Sequence, residues 1–354
     1  MGQNVRKGEA LNEIPLKQFL QRNELIENSE SELTVDQFKN GFSNLTYLLQ
    51  IENESFVLRK PPLGAIKRGH DMGREFKVLT GLNKGFTKAP NAIAFSDDDS
   101  IIGSSFYLME KIDGIILSTK EAYKRKVGVD EFPKIANEWL NTFIELHQLD
   151  YKALGLEDLG KPDGYIERQV KNWSKQYAKA ATEEIPEAEK VMAWLETNQT
   201  NNYEHRLIHN DYKYDNVVFK DDSWSTINAV LDWEMCTLGD PLMDLGTSLA
   251  YWSMASDHEL ILKGLPSPTA MPGNPSRSEI VEMYTAKSGR PINNLIFYYA
   301  FGLFKLAVIV QQIYYRYDKG LTTDERFASL NKATRLFLTM AHQAIQKKRI
   351  DQLF

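Results

Sequence analysis

Apolar and polar residues alternate through the first third of the chain, and this pattern then gives way to helical spacing. Leu33 to Phe38, Leu45 to Ile51 and Ser55 to Arg59 read as three meandering strands, with Asn40-Gly41 a hairpin signal after the first and Asn53-Glu54 turning between the second and third. A helix is predicted from about Gly69 to Leu82, followed by strands at Asn91 to Ser96 and Ser105 to Glu110. Past Asp113-Gly114 the period lengthens. Helices are predicted at Phe132 to Leu149, Tyr165 to Ala180 and Pro186 to Glu196, then at Asp244 to Ala255, Arg277 to Ser288, Leu295 to Tyr317 and Arg326 to Lys348. The expected fold is α+β: a small antiparallel sheet with one helix, residues 1–111, joined to a larger, mainly helical lobe, residues 112–354, with a cleft between.

Two short apolar runs interrupt the helical half. Val217-Val218-Phe219 and Ile227 to Leu231 flank the polar, turn-like segment from Lys220 to Thr226, and so read as an antiparallel hairpin. Paired residues in such a ladder sit about 5 Å apart. Asn216 precedes the first run and Asp232 follows the second, so the hairpin is expected to bring an amide oxygen and a carboxylate side by side. That is a hard-oxygen site suited to Mg²⁺, which takes few protein ligands and fills its shell with water and phosphate oxygens. Asp211 lies upstream on the same loop, placed to accept the proton of an attacking hydroxyl. Asp and Asn are common in turns. Here His209, both acidic residues and the hairpin occur together, in the order that phosphoryl transfer from a nucleotide requires. His209 reads as a brace beneath the loop, Asp240 as a turn residue, and Asp244 as a helix cap or a brace for the loop. Glu234 could reach substrate or a second metal, or lie on the surface; Lys305, alone in an apolar helix, could pair with a carboxylate, snorkel, or face substrate.

Composition narrows the class. The chain has 354 residues, 42% hydrophobic and 25% charged, which is ordinary for a globular protein of one large or two medium domains. A net charge of −6 argues against general nucleic-acid binding. The single cysteine, Cys236, allows no intrachain disulfide and points to a reducing, cytoplasmic setting. The N-terminal residues lack the apolar core of a signal peptide, and the most apolar stretch, Leu295 to Gln311, carries Lys305 and is expected to be a buried helix, not a membrane span.

These residues resemble the aminoglycoside phosphotransferase family, which has a two-lobed protein-kinase-like fold. The resemblance runs through almost the whole chain. Besides the motif from His209 to Asn216 and Asp232-Trp233-Glu234, it rests on Phe56 to Pro62, Arg74-Glu75-Phe76, Gly164 to Val170, Thr237 to Pro241 and Ser288-Gly289-Arg290. That set is similar to the branch related to the kinase domain fused to certain acyl-CoA dehydrogenases. The resemblance implies a kinase using ATP and Mg²⁺, with Asp211 as catalytic base and Asn216 and Asp232 as metal ligands. It puts Arg59 where the phosphate-gripping Lys of the third strand would be, and Glu75 on the next helix as its ion-pair partner. Strand alternation lets only one of Arg59 and Lys60 face the cleft, and the resemblance selects Arg59. Met109 to Ile112 aligns with the linker whose backbone meets the adenine edge, which makes Met109 and Lys111 nucleotide-binding candidates. The glycine-rich loop is reduced to Gly41, so Ser43 and Asn44 are expected to help hold phosphate. Asn210 stands where the family usually has Gly. The implied acceptor is a small-molecule alcohol of hydroxyacyl-CoA type. An aminoglycoside, amino alcohol or sugar alcohol acceptor, or a nucleotide-binding regulator without turnover, are the alternatives.

Overall fold

The computed structural model describes residues 5–38, 44–62, 71–264, 266–322 and 324–354. The chain divides into two units. The first takes residues 1–113 together with two segments that return later in the sequence, 152–159 and 228–234; the second takes the remainder.

The first unit is built on a five-stranded antiparallel sheet, ordered β1-β2-β3-β5-β4. Its strands are β1 (Leu33–Gln37), β2 (Leu45–Ile51), β3 (Glu54–Lys60), β4 (Ala92–Ser96) and β5 (Phe106–Glu110), joined by helices α1 (Glu13–Arg22), α2 (Met72–Leu82) and the short α3 (Asp99–Ile102). The β2–β3 turn falls at Glu52-Asn53, one residue earlier than alternation suggested. Ile51 pairs with Glu54, and Glu52 takes φ 54°, the left-handed conformation a two-residue hairpin needs. The hairpin signal at Asn40-Gly41 and the expected start of α2 near Gly69 lie outside the described residues.

One face of the sheet, carrying Phe56 and Leu58 of β3, is covered by Leu16, Phe19 and Leu20 of α1 and by Ile101 and Ile102 of α3. Alternation did not reveal α1, because only those three of its residues are buried. Helix α2 packs against β4 and β5. Asp71 caps it by accepting from the Arg74 amide, 2.9 Å. The returning segments attach to the same unit. A Cβ on Gly81 of α2 would meet Leu156 at 2.6 Å, and the Val230 amide donates to the Lys88 carbonyl, 2.8 Å.

The second unit is mainly helical: α4 (Thr119–Arg125), α5 (Phe132–Gln148), α6 (Tyr165–Ala180), α7 (Pro186–Thr197), α8 (Pro241–Tyr251), α9 (Glu259–Gly264), α10 (Arg277–Ser288), α11 (Leu295–Asp318) and α12 (Leu330–Lys347). Three-residue strands β6 (Arg206–Ile208) and β9 (Thr237–Gly239) pair with each other and were too short to read from pattern. The apolar runs are strands as expected: β7 (Val217–Phe219) in this unit, and β8 (Ile227–Val230), which leads into the segment 228–234 that belongs to the first. Helix α8 starts at Pro241, three residues earlier than its periodicity suggested, because Asp240 caps it and Pro at the first position needs no partner for a missing N–H. Helix α12 starts four residues late, at Leu330, after a separate 3₁₀ turn at Glu325–Phe327.

Helix α11 is apolar on most sides and is the core element of this unit, packed on α12, α8 and α6. Its length and composition would suffice to cross a membrane, yet 72% of its most apolar window is buried within the protein. The α8–α11 crossing is made by glycine. A Cβ on Gly246 would lie 2.2 Å from the Tyr298 carbonyl oxygen, and one on Gly302 would lie 2.2 Å from that of Gly246.

Candidate active site

In the first unit the chemistry gathers on Arg59. Strand alternation separates it from Lys60. Lys60 turns to the other face of the sheet and donates to the Ile102 carbonyl, 2.9 Å. Arg59 is buried against α2, with Nη1 2.8 Å from Glu75 Oε1. Its Nη2 lies 3.0 Å from Asp232 Oδ1 and 3.4 Å from Glu234 Oε2. Burial works against the Arg59 charge, but Glu75 foremost, with Asp232 and Glu234, holds the guanidinium well above its ordinary value, so it stays charged. Burial raises the Glu75 carboxyl, and Arg59 opposes that shift. Asn44 is buried and donates to Glu234 Oε2, 2.8 Å. Asp232 adopts φ 66°, and Trp233 beside it is anchored by Nε1 donating to the Val230 carbonyl, 2.8 Å.

Met109 lies inside β5, in register with Val57 on one side and Ala92 on the other, and Lys111 follows the strand, paired with Asp113. Ser43 lies outside the described residues.

In the second unit the motif loop runs out of β6 and is held from beneath by α8. Asp244 accepts from both the His209 amide (Oδ2, 2.6 Å) and the Asn210 amide (Oδ1, 2.8 Å). The brace role expected for Asp244 is thus what the geometry gives. His147 at the end of α5 reaches the same carboxylate through Nε2 at 3.2 Å, while its Nδ1 meets the Tyr284 hydroxyl at 2.9 Å. Burial lowers the His147 pKa. Against burial, which would raise it, the hydrogen bond from His147 keeps the Asp244 carboxyl below its ordinary value. The consistent arrangement is a neutral imidazole donating from Nε2 to an ionised Asp244. Arg290 closes the network, donating to the His147 carbonyl, 3.0 Å, and to Glu204 Oε1, 2.9 Å. Asp240 caps α8, accepting from the Leu242 amide, and burial pushes its carboxyl up to about 6.

The loop itself is shaped by Asn210 at φ 67°. That left-handed conformation is reached freely by Gly and readily by Asn, which gives the departure from Gly a physical basis. The Asn210 side chain donates from Nδ2 to the Met235 carbonyl, 3.1 Å, and its backbone carbonyl accepts from Lys305 Nζ of α11, 2.8 Å. Lys305 therefore does not snorkel, and among the described residues it pairs directly with no carboxylate. It is buried under the loop, where desolvation lowers its pKa to about 8.

On the outer side of the loop, Asp211 faces two partners. Asn216 Nδ2 donates to Asp211 Oδ2 and to its carbonyl, both 2.8 Å, and Lys213 Nζ sits 3.0 and 2.9 Å from its two carboxylate oxygens. Lys213, His147 and Tyr284 were not singled out from sequence, and Arg290 was quoted only within Ser288-Gly289-Arg290, with no role given. For Lys213 the signal was present, two positions beyond the base, whereas the other three reach the loop only through the tertiary fold.

In the second unit Asn216, its nitrogen committed to Asp211, keeps an amide oxygen, and in the first unit Asp232 and Glu234 carry carboxylate oxygens; these are atoms of the kind a hard cation takes. Among the described residues no group of three or more His, Cys, Asp or Glu side chains could hold a metal by itself. A metal that completes its shell with substrate oxygens needs no such group.

Comparison with known proteins places this arrangement. Residues 34–265 match the model of the phosphotransferase enzyme family. The chain is 32% identical over 342 residues to acyl-CoA dehydrogenase family member 10 of Mus musculus, covering 96% of this chain and 31% of that protein. It is 35% identical over 302 residues to family member 11 of Homo sapiens, covering 84% of this chain and 38% of that protein. The chain thus spans about a third of the length of these relatives. Among solved structures, a Ralstonia eutropha protein provisionally described as an aminoglycoside phosphotransferase superposes with TM-score 0.79 at 29% identity, over 96% of this chain and 99% of that one. The gentamicin complex of APH(2")-IIa superposes with TM-score 0.59 at 17% identity, over 96% and 98% of the two chains, a likeness of fold. A braced Asp-loop in a helical lobe, a paired Arg in a sheet lobe, and these matches lead to one conclusion: the chain belongs to the phosphotransferase enzyme family, with the two-lobed protein-kinase-like fold.

Proposed function

We propose that the protein is an ATP- and Mg²⁺-dependent kinase whose acceptor is the hydroxyl of a hydroxyacyl-CoA-type molecule. The observation that carries the kinase reading is the Asp211 carboxylate, held by Asn216 and Lys213 on a loop that Asp244 and Lys305 fix from below. In the reaction Asp211 accepts the proton of the acceptor hydroxyl as its oxygen attacks the γ-phosphorus, and ADP leaves with the bridging oxygen's electron pair. Lys213, within hydrogen-bond reach of both oxygens, orients the Asp211 carboxylate. Arg59, held charged by Glu75, grips nucleotide phosphate, with Asn44 nearby and Met109 and Lys111 toward the adenine. Asn216 and Asp232 would each offer an oxygen to Mg²⁺, which when bound would supply charge neutralisation at the phosphates. Catalysis in this scheme is mainly positioning and charge compensation.

The acceptor class rests on the relatives, acyl-CoA dehydrogenase family members at 32% and 35% identity. An aminoglycoside or amino alcohol acceptor is the second reading, favoured by the names of the similar solved structures. An ATP-consumption screen over hydroxyacyl-CoA esters, free hydroxy acids, amino alcohols and aminoglycosides separates them. Turnover confined to the esters supports the proposal, and turnover confined to polycationic acceptors overturns it.

A further inference from the structure

Helix α11 carries an ammonium under the catalytic loop, at a position where an apolar side chain would pack at less cost. Lys305 is 2% exposed, and its Nζ lies 2.8 Å from the Asn210 carbonyl oxygen and 3.4 Å from Asn210 Oδ1. The Trp173 ring of α6 covers it, with the ammonium 5.8 Å from the ring centre, and Trp173 Nε1 is held in turn by Gln169 Oε1, 3.0 Å. All of these residues belong to the second unit. A buried charge is destabilising relative to a hydrophobe of similar volume, so packing does not explain this one.

The carbonyl that Lys305 holds belongs to the peptide bond leading into Asp211. The N–H of that same peptide donates to His209 Nδ1, 3.2 Å. The peptide is thus clamped at both ends, by a cation on its oxygen and by a neutral imidazole on its nitrogen. The Asp211 Cα is attached to that nitrogen, so the clamp sets the direction in which the carboxylate leaves the loop. Charge adds to this geometry. Among the described residues, the charged groups that act on the ammonium are Asp211 foremost and Asp244 of α8, which support it, and Lys213, which opposes it. Tyr165 of α6 reaches Asn210 Oδ1 at 3.4 Å, and burial raises its hydroxyl, so it stays neutral. Against these partners burial wins, and the ammonium titrates at about 8.

We propose that Lys305 is a positioning residue for phosphoryl transfer: its ammonium, acting through the Asn210–Asp211 peptide, aims the Asp211 carboxylate, and transfer is fastest while that ammonium is charged. The inference rests on the kinase reading for its reaction and adds a residue that touches no substrate. It carries a pH dependence of distinctive sign. As pH rises through about 8, Lys305 loses its proton. Its charge-assisted bond to the carbonyl becomes a neutral one, about half as strong, and Asp211 loses a facing cation. The rate of transfer therefore falls. Stability relative to a neutral side chain rises over the same range, because the buried charge is relieved. A lysine with only a structural role would move rate and stability together.

The test measures transfer from Mg-ATP to γ-hydroxyvaleryl-CoA between about pH 6.5 and about pH 9.5, in the full chain as wild type, Lys305→Met and Lys305→Gln. Urea unfolding and amide hydrogen exchange of the loop, residues 207–213, are followed on the same proteins. Lys305→Met removes charge and donor, and Lys305→Gln keeps a donor without the charge. The wild type should lose kcat above about pH 8. Both variants should start about tenfold lower in kcat near neutral pH, the scale of one charge-assisted hydrogen bond, and show no fall at about pH 8, with KM for ATP within about twofold of the wild type. A wild-type kcat that stays level across this range overturns the proposal without recourse to any variant. So does a fall that persists in Lys305→Met, since it would belong to Lys213 or to the substrates. Faster loop exchange in the variants, with no transfer to the acceptor by the wild type, supports the clamp and defeats the kinase reading instead. Transfer whose kcat is unchanged in both variants does the reverse.

Discussion

Asn210 illustrates how much one backbone angle decides. At φ 67° it turns the loop so that successive amides, its own and that of His209, meet the two oxygens of Asp244. Asn210→Gly should keep the loop with a modest loss of stability, whereas Asn210→Val, which disfavours that angle and also loses the bond to Met235, should cost about 2 kcal/mol or more in urea unfolding. Equal midpoints for the two variants would contradict the conformational reading. Lys305 beneath the same loop has a pH signature. Its pKa is about 8 folded against an ordinary value of 10.5, so between these values the unfolded chain binds more protons than the native one. Stability must then rise with pH across that window. The unfolding free energy of the wild type minus that of Lys305→Met should be flat below about pH 8 and climb by up to about 3 kcal/mol toward pH 10.5. A difference that falls with pH over this range would refute the assignment. At this scale the sequence displayed the motif residues and left their support hidden. Asp211, Asn216 and Asp232 stand in a readable order, but His147, Tyr284 and Arg290 join the brace through a fold that brings distant segments together.

At the scale of elements, two helices carry the loop. Asp244 lies two residues before Gly246 on α8, and Lys305 three residues after Gly302 on α11. The glycine-to-backbone crossing lets the helices approach closely enough to support the loop from the same side. A Cβ at Gly246 would sit 2.2 Å from the Tyr298 carbonyl oxygen, so Gly246→Ala must push the helices apart. It should lower stability by about 3 kcal/mol, at the upper end for overpacking, and reduce kcat without touching substrate. An unchanged urea midpoint would show that the crossing is not close-packed. Strands with clean alternation, such as Leu45 to Ile51, were legible in the sequence, as was the all-round apolar α11. Helix α1, with three buried residues, and the three-residue strands β6 and β9 were not, because too few positions repeat to define a period.

For the whole molecule, the first unit is not a contiguous stretch of chain. Residues 228–234 return to it and bring Asp232 and Glu234 to Arg59, and residues 152–159 pack on α2. An isolated fragment of residues 1–113 would leave the buried Arg59 with Glu75 alone and lose the Val230 to Lys88 hydrogen bond. It should show no cooperative unfolding transition by circular dichroism, whereas a sharp transition would mean that the returning segments are dispensable. Periodicity located the change from sheet to helices near Asp113, but it could not show that later segments rejoin the first unit, since that is a matter of tertiary pairing. The central claim is that Asp211 takes the acceptor's proton on a preformed loop. The most direct measurement compares phosphoryl transfer to the acceptor by the wild type and by Asp211→Asn, with ATP affinity determined calorimetrically for both. The expected result is a fall in kcat of about 10²–10⁴-fold with nearly unchanged nucleotide affinity; transfer by Asp211→Asn at the wild-type rate would contradict the account.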